Sequence, residues 1–220
     1  MRPFLNIDAG ELPDEPAELY ALAHVVNVAC GGHAGDDASM RRVVAFCNQS
    51  GTAVGAHPSY PDREGFGRRA MAMTPDALAA SVEAQCAALR RATSDVRYVK
   101  LHGALYHAAN ADPVVARAAL VAATRALGAP TVLGPPAGAL ADVARELGLA
   151  YAREGFADRA VRADGSLVPR GEPGAMIDDP AAAAARAREL AESGAVDTIC
   201  VHGDGASALA VARAVRAALA

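Results

Sequence analysis

The sequence has no tryptophan, and aromatic residues make up only 4% of its 220 residues. It has no run of basic side chains and a formal net charge of −4, so we expect neither nucleic acid nor an anionic membrane surface as a partner. Its four cysteines lack the Cys-X-X-Cys spacing, which argues against a zinc knuckle or a redox pair. It also lacks a P-loop and a Gly-X-Ser-X-Gly nucleophile elbow, so the residues themselves indicate neither ATP binding nor a serine hydrolase.

Long apolar runs are absent as well. No stretch approaches the length needed to span a membrane, and the first residues do not form the apolar core of a signal peptide. We therefore expect a cytoplasmic protein. Apolar residues still make up 52% of the sequence, and alanine supplies many of them, which favours helices packed closely against a sheet.

Short apolar runs alternate with longer alanine-rich stretches along the whole sequence. This alternation predicts strands and helices that build a parallel sheet. Strands are predicted at 4–7, 25–29, 53–56, 98–101, 131–133, 149–152 and 198–201, and helices at about 14–24, 37–50, 75–93, 113–127, 137–147, 180–193 and 206–219. A capping residue followed by proline marks three helix starts, at Thr74, Asp112 and Asp179.

Seven such units fit either an open doubly wound sheet or a closed barrel. An open sheet gathers its site at one crevice, whereas polar residues here follow nearly every predicted strand. We therefore predict an α/β fold, a single-domain (β/α) barrel of about seven parallel strands over residues 1–220. Residues 154–179 lack helical periodicity and are predicted to form a functional loop.

Four histidines lie just beyond predicted strands, each beside glycine: His33, His57, His102 and His202. Because the carboxyl ends of parallel strands meet at one end of a barrel, we expect these side chains to converge. Glycine allows close backbone approach, and the tight glycine loop around His33 favours a site role over a structural one.

Charged residues accompany these histidines. Asp8 ends the first strand, with Asn6 on the same side, and it could bind a cation, act as an acid or base, or cap the next helix. Lys100 precedes His102 by two residues and therefore faces the same side of its strand. A lysine inside a barrel must be paired, so we expect Asp8 or a substrate anion beside it.

The segment GAHPSYPDREGFGRR contains two arginines in a long loop rich in glycine and proline. Guanidinium groups match carboxylates and phosphates, so Arg68 and Arg69 are candidates for binding a substrate anion. The alternative is a surface salt bridge to Asp62 or Glu64.

Further candidates follow the later strands. The segment REGFADR carries Glu154, Asp158 and Arg159, and VHGDG carries His202 and Asp204. Histidines and acids from separate strands can serve as metal ligands or as acid–base catalysts. No His-X-X-X-His or His-Glu-X-X-His spacing decides between these roles.

Eight segments between residues 6 and 204 resemble, in order, motifs of the LamB/YcsF family, the A subunits of bacterial ATP-dependent 5-oxoprolinase. They are LNIDAGE, NVACGGHAGD, GAHPSYPDREGFGRR, VKLHGALY, EGFADR, DGSLVPR, GAMI and VHGDG. The resemblance implies a barrel related to the glycoside hydrolase and carbohydrate deacetylase folds. It also implies a cyclic-amide hydrolase that converts 5-oxo-L-proline (pyroglutamate) to L-glutamate, with ATP as co-substrate of a complex that contains the B and C subunits of 5-oxoprolinase.

The motifs and the resemblance together give a site hypothesis. The catalytic candidates are Asp8, His33, His57 and His102. The candidates for substrate binding are Asn6, Asn27, Arg68, Arg69, Lys100, Glu154, Asp158, Arg159 and His202. A divalent metal, where one is bound, is expected on Asp8, His33 and His57. Two alternatives stay open: a metal-dependent deacetylase acting on an acylated sugar, and a non-catalytic binding subunit.

Overall fold

The computed structural model describes residues 2–162 and 166–220, and its framework is a set of seven parallel strands. The strands are β1 (Phe4–Ala9), β2 (Val25–Ala29), β3 (Ala53–His57), β4 (Val96–Lys100), β5 (Thr131–Gly134), β6 (Tyr151–Phe156) and β7 (Thr198–His202). Each strand pairs with the next one along the chain, and β7 pairs back with β1, so the sheet closes. The predicted (β/α) barrel is confirmed, and the open doubly wound sheet is excluded.

Helices follow the strands in chain order and pack around the barrel. They are α1 (Ala17–Leu22), α2 (Asp37–Ser50), α3 (Pro75–Ala92), α4 (Gly103–Ala111), α5 (Pro113–Leu127), α6 (Ala139–Glu146), α7 (Pro180–Ser193) and α8 (Ala208–Ala218). At all three starts marked by proline, the side chains of Thr74, Asp112 and Asp179 accept a hydrogen bond from a backbone N–H of the first turn. Within the described ranges, no helix is long and apolar enough to cross a membrane.

Several element bounds differ from the sequence prediction by a few residues, and three differences affect the site more than the others. The first helix is shorter than 14–24, because the carboxylate of Glu15 accepts hydrogen bonds from three preceding backbone N–H groups and holds them in a turn. Helix α4 was not predicted. It starts directly after His102, with glycine first and no side-chain cap. Strand β6 continues to Phe156, so Glu154 lies in the sheet and not in the loop.

Apolar side chains fill the space between barrel and helices as one contiguous cluster. A second, small cluster of Val25, Leu133 and Ala152 closes the amino-terminal end of the barrel. The interior beyond it is polar. The polar residues buried there include Asn6, Asn27, Lys100 and Glu154. Because buried polar groups are costly unless they are paired, this interior is where a site is expected.

In the connection between β6 and α7, the described residues 157–162 and 166–179 have little regular structure. One isolated antiparallel bridge joins Arg159 to Met176 and folds the connection back on itself. The first two residues of the DGSLVPR motif, 164 and 165, lie outside the described residues. Other residues of this connection reach the cavity described next, as expected for a functional loop.

Candidate functional site

A cavity of about 650 Å³ lies at the carboxyl end of the strands, a volume within the range of small-molecule sites. Strand-end residues, the loop after β3, helix α4 and the β6–α7 connection all contribute to its wall. The lining residues that carry charge or titrate are Asp8, His57, Arg68, Lys100, His102, Tyr106, His107, Arg159, Arg170 and His202. The convergence of strand ends predicted from the glycine-flanked histidines therefore occurs.

Three of these histidines surround one carboxylate, and we call Glu11, His33, His57 and His102 the histidine cluster. Oε1 of Glu11 lies 3.0 Å from Nε2 of His33, 3.4 Å from Nδ1 of His102 and 3.8 Å from Nε2 of His57. The rings of His33 and His102 stack with their centroids 3.6 Å apart. All four side chains are buried. The ligating atoms lie within 4.8 Å of one another, as they would around one ion.

Backbone carbonyls fix the tautomers of two rings in this cluster. Nδ1 of His57 is 2.8 Å from the carbonyl oxygen of Lys100, and Nε2 of His102 is 2.9 Å from that of Phe66. Since a carbonyl oxygen only accepts, both nitrogens must carry the proton. Nε2 of His57 and Nδ1 of His102 then face each other at 3.0 Å. A protonated His57 ring donates to His102 across this contact, whereas two neutral rings present their lone pairs to one ion. Metal-binding histidines are typically oriented this way, by donating the other ring N–H to a carbonyl.

Burial gives the cluster unusual electrostatics. Burial raises the pKa of Glu11 to about 7, although His57 opposes the shift. Burial also lowers the pKa of His33 and His102 well below the ordinary value, which keeps both rings neutral. In the described part of the chain, Oε2 of Glu11 and Nδ1 of His33 have no hydrogen-bond partner. Burial alone would lower the pKa of His57, but Asp8 and Glu11 raise it above its ordinary value, so a bound cation would have to displace the proton of that ring. Three imidazoles and one carboxylate form a ligand set that suits zinc and other transition metals, so the cluster fits a divalent cation.

Lys100, the only lysine of the sequence, lies inside the barrel between two carboxylates. Its Nζ is 3.0 Å from Asp8 and 2.9 Å from Glu154. Asn6 donates a hydrogen bond to Glu154, and Asn27 donates to Asn6 and Asp8. The expected pairing of Lys100 with Asp8 is present, and the two asparagines complete a buried polar network.

Asp8 is the charged acid of the cavity wall. Burial alone would raise its pKa, but His57 and Lys100 hold the pKa of Asp8 well below the ordinary value. His202 approaches it from β7, with Nε2 3.8 Å from Asp8. Nδ1 of His202 donates to Asp158 at 3.0 Å, and Asp158 also accepts from the backbone N–H of His202. Asp158 therefore orients the His202 ring with its free nitrogen towards Asp8.

Asp8, Cys200 and His202 form a second group with metal-ligand spacing. The ammonium of Lys100 already lies among them, 2.9 Å from Sγ of Cys200 and 3.0 Å from Asp8. A second positive charge there would be repelled at short range. The histidine cluster is therefore the better cation site of the two.

The two arginines of the β3 loop differ in position. Arg68 lines the cavity and pairs with Asp204, and Arg170 pairs with the same carboxylate at 3.0 Å. Arg69 pairs instead with Asp62, and its side chain is 61% exposed. For Arg69 the structure therefore shows the alternative, a surface salt bridge, and does not place it on the cavity wall.

Nearly the whole chain matches one known protein family and several known proteins. Residues 5–220 match the model of the LamB/YcsF family. The chain belongs to the LamB/YcsF family. Three relatives, each named as the A subunit of 5-oxoprolinase, match nearly its whole length. That of Methylococcus capsulatus is 44% identical over 98% of this chain and 91% of the relative, and that of Chloroflexus aggregans is 43% identical over 96% and 92%. That of Heliobacterium modesticaldum is 41% identical over 100% of this chain and 94% of the relative.

A solved structure also resembles this LamB/YcsF chain along its length. It is a lactam utilization protein from Thermus thermophilus, with a TM-score of 0.89 and 36% identity, covering 100% of this chain and 96% of that one. The barrel is therefore shared with a protein whose name refers to the use of lactams.

In this LamB/YcsF protein the residues singled out from the sequence take three positions. Those on the cavity wall are Asp8, His57, Arg68, Lys100, His102, Arg159 and His202. Those buried behind the wall, where they hold or orient others, are Asn6, Asn27, His33, Glu154 and Asp158. Only Arg69 lies away from both groups.

Glu11 was not among the predicted site residues. The metal set expected from the sequence was Asp8 with His33 and His57, but the structure places Glu11 beside these histidines and pairs Asp8 with Lys100. The motif LNIDAGE, which presents both acids just after one strand, was the only sequence signal for Glu11. It could not show which acid reaches the histidines.

Proposed function

We propose that this chain hydrolyses a cyclic amide, 5-oxo-L-proline, to L-glutamate, as the A subunit of an ATP-dependent 5-oxoprolinase that also contains the B and C subunits. The names of the relatives support the substrate and the assembly. The observation that carries the catalytic role is the ionised carboxylate of Asp8 on the cavity wall, held by Lys100 and faced by His202. A charged base beside an oriented histidine is an arrangement suited to hydrolysis.

Ring opening requires one water and two proton transfers. The water oxygen bonds to the amide carbon, the bond from that carbon to the ring nitrogen breaks, and the nitrogen takes up a proton. Asp8 accepts the proton of the attacking water, because it lies on the cavity wall as a carboxylate. His202, whose ring is fixed by Asp158 with Nε2 facing Asp8, takes up that proton from Asp8 and passes it to the departing nitrogen. Together these residues provide a general base and a general acid at one site.

A divalent cation fits the histidine cluster, where Glu11, His33, His57 and His102 would hold it. Such an ion polarises a carbonyl oxygen and lowers the pKa of a bound water. Among the four, only His57 and His102 line the cavity. Glu11 takes the place of Asp8 in this ligand set. Asp8, which pairs with Lys100 and lies 3.4 Å from Nε2 of His57, serves as the base.

ATP enters this proposal through the partner proteins, because the sequence of this chain has no P-loop. The partners transfer the γ-phosphoryl group of ATP to the amide oxygen and release ADP. This barrel then adds water to the amide carbon and opens the ring to an acyl phosphate, and a second water releases phosphate and leaves glutamate. The cavity, at about 650 Å³, is large enough for a small lactam that carries an additional phosphoryl group.

The test is an assay of 5-oxoproline hydrolysis with this chain alone and with the B and C subunits, each with and without ATP and a chelator. We expect glutamate only when both partners and ATP are present. Asp8→Asn should lower kcat by about 10²–10⁴-fold, the usual contribution of a general base. Asp142→Asn, which changes an exposed acid on α6, is the matched control. Full turnover by Asp8→Asn would contradict the assignment.

The histidine cluster favours one second candidate, a metal-dependent deacetylase acting on an acylated sugar. This function needs neither partners nor ATP. Release of acetate from an acetylated sugar by the zinc-loaded chain alone, together with no glutamate formation in the complete assay, would replace the first proposal by the second.

A further inference from the structure

The positive charges on the cavity wall are unequally compensated. Lys100 is matched by two carboxylates. Arg68 and Arg170 share the single carboxylate of Asp204. The Asp204 side of the cavity therefore carries more positive than negative charge even before its third arginine, Arg159, is considered.

Arg159 has the least compensation of the three. It lies on the cavity wall, and only 6% of it is exposed. Its Nη2 donates one hydrogen bond, to the carbonyl oxygen of Val168 at 2.6 Å. Its Nε is buried and has no partner among the residues that the structure describes.

The nearest candidate for a counter-ion is already engaged. Asp158 precedes Arg159 in the chain, but both of its oxygens contact Nδ1 of His202 and one also accepts from the backbone N–H of that residue. Throughout 2–162 and 166–220, no carboxylate oxygen forms an ion pair with Arg159. A buried charge without a counter-ion is costly, and a ligand anion would remove that cost.

We propose that Arg159 binds the carboxylate of the substrate, so that the cavity selects cyclic amides bearing a carboxylate over uncharged lactams. This inference rests on the proposed function, which supplies the ligand. A carboxylate is planar and has two oxygens, so it can accept hydrogen bonds from Nε and from a second guanidinium nitrogen at once. Arg68 and Arg170 add a favourable field at the same wall. Lys100, expected from the sequence to bind this anion, is already neutralised by protein carboxylates.

The test compares binding of 5-oxoproline with binding of 2-pyrrolidinone, the same ring without the carboxylate, by calorimetry on the whole chain without ATP. The wild-type chain should prefer the acid. Arg159→Gln should weaken 5-oxoproline binding by about 10- to 100-fold, as expected for a lost hydrogen bond between charged groups, and leave 2-pyrrolidinone binding unchanged. Arg159→Lys should retain part of the preference. Arg97→Gln, which changes an exposed arginine on β4, is the control and should bind as the wild type does.

A second readout separates ligand binding from a structural role. Arg159→Met removes a buried charge that has no counter-ion in the described parts of the chain, so the melting temperature without ligand should stay unchanged or rise. A structural arginine would instead lower it.

Several results would overturn the inference: no preference of the wild type for the acid, equal weakening of both ligands in Arg159→Gln, or a large loss of stability in Arg159→Met. The inference would also be overturned, in favour of a phosphate site, if inorganic phosphate bound as tightly as 5-oxoproline and lost the same affinity in Arg159→Gln. Since binding is measured without turnover, the preference can hold when the hydrolysis assay fails, and it can fail when that assay succeeds.

Discussion

Removal of the Lys100 ammonium is the sharpest test of the buried network. Nζ lies 3.0 Å from Asp8 and 2.9 Å from Glu154, and all three residues are 2% exposed. Lys100→Met keeps the length of the side chain. It leaves Glu154 without its counter-ion, and it leaves Asp8 with only His57 and His202 beside it. Breaking a buried ion pair by deleting one partner typically costs about 3–5 kcal/mol.

This cost is large compared with the stability of a domain, about 5–15 kcal/mol. At roughly 2–4 °C per kcal/mol for a chain of this size, the melting temperature should fall by about 6–20 °C. The measurement is urea unfolding followed by circular dichroism, with thermal unfolding as a second probe. Arg145→Met removes an exposed cation that pairs with Asp142 on α6, and it should change the free energy of unfolding by less than about 1 kcal/mol.

A double variant identifies the cause of the loss. Lys100→Met combined with Glu154→Gln removes the carboxylate that Lys100→Met leaves without a cation, so it should be about 1–3 kcal/mol more stable than Lys100→Met alone. A loss below about 1 kcal/mol in Lys100→Met, or a double variant no more stable than the single one, would refute the reasoning.

Two further predictions concern the histidine cluster. The purified chain should bind one equivalent of zinc, measured by calorimetry and elemental analysis. Glu11→Gln should weaken zinc binding at least about 10-fold, whereas His24→Gln, which lies outside the cluster, should not. Equal zinc affinity in these two variants would exclude the cluster as the site. Gly67→Ala should also weaken zinc binding, because the residue has φ +65° and a Cβ there would lie 2.9 Å from atoms of two cluster histidines. Gly171→Ala, with no atom within 4 Å of the added Cβ, is its control, and unchanged zinc affinity in Gly67→Ala would contradict the packing argument.

The barrel could be predicted from the sequence because local signals coincided with the tertiary structure. Proline after a capping residue marked the starts of three helices, and each capping hydrogen bond is present. Helix α4 gave no such signal, since its first residue is Gly103 and His102 makes no side-chain cap. Strand β6 was predicted to end too early because Arg153 and Glu154 interrupt its apolar run, although the charge of Glu154 is compensated by Lys100 across the barrel. Periodicity does not show such pairing.

The sequence showed which strand ends contribute to the site, but it did not show which side-chain atoms contact one another there. The glycine-flanked histidines converge as expected. However, Glu11 is separated by 22 residues from His33 and by still more from the other histidines of its cluster, so spacing could not select it over Asp8. Arg68 and Arg69 are adjacent in the chain, yet one lines the cavity and the other faces solvent. Such choices depend on three-dimensional packing, which a sequence pattern does not contain.

The pairing of β7 with β1 has a consequence for synthesis of the protein. In that pairing Asp8 lies opposite His202, and Asn6 lies opposite Cys200. The acid that begins the site and the histidine that completes it therefore come from the first and the last strand of the barrel, and a ribosome must make all seven strands before they can meet. A nascent chain that lacks β7 has an open sheet and an incomplete site. Acquisition of activity should therefore report the last step of folding, when the barrel closes.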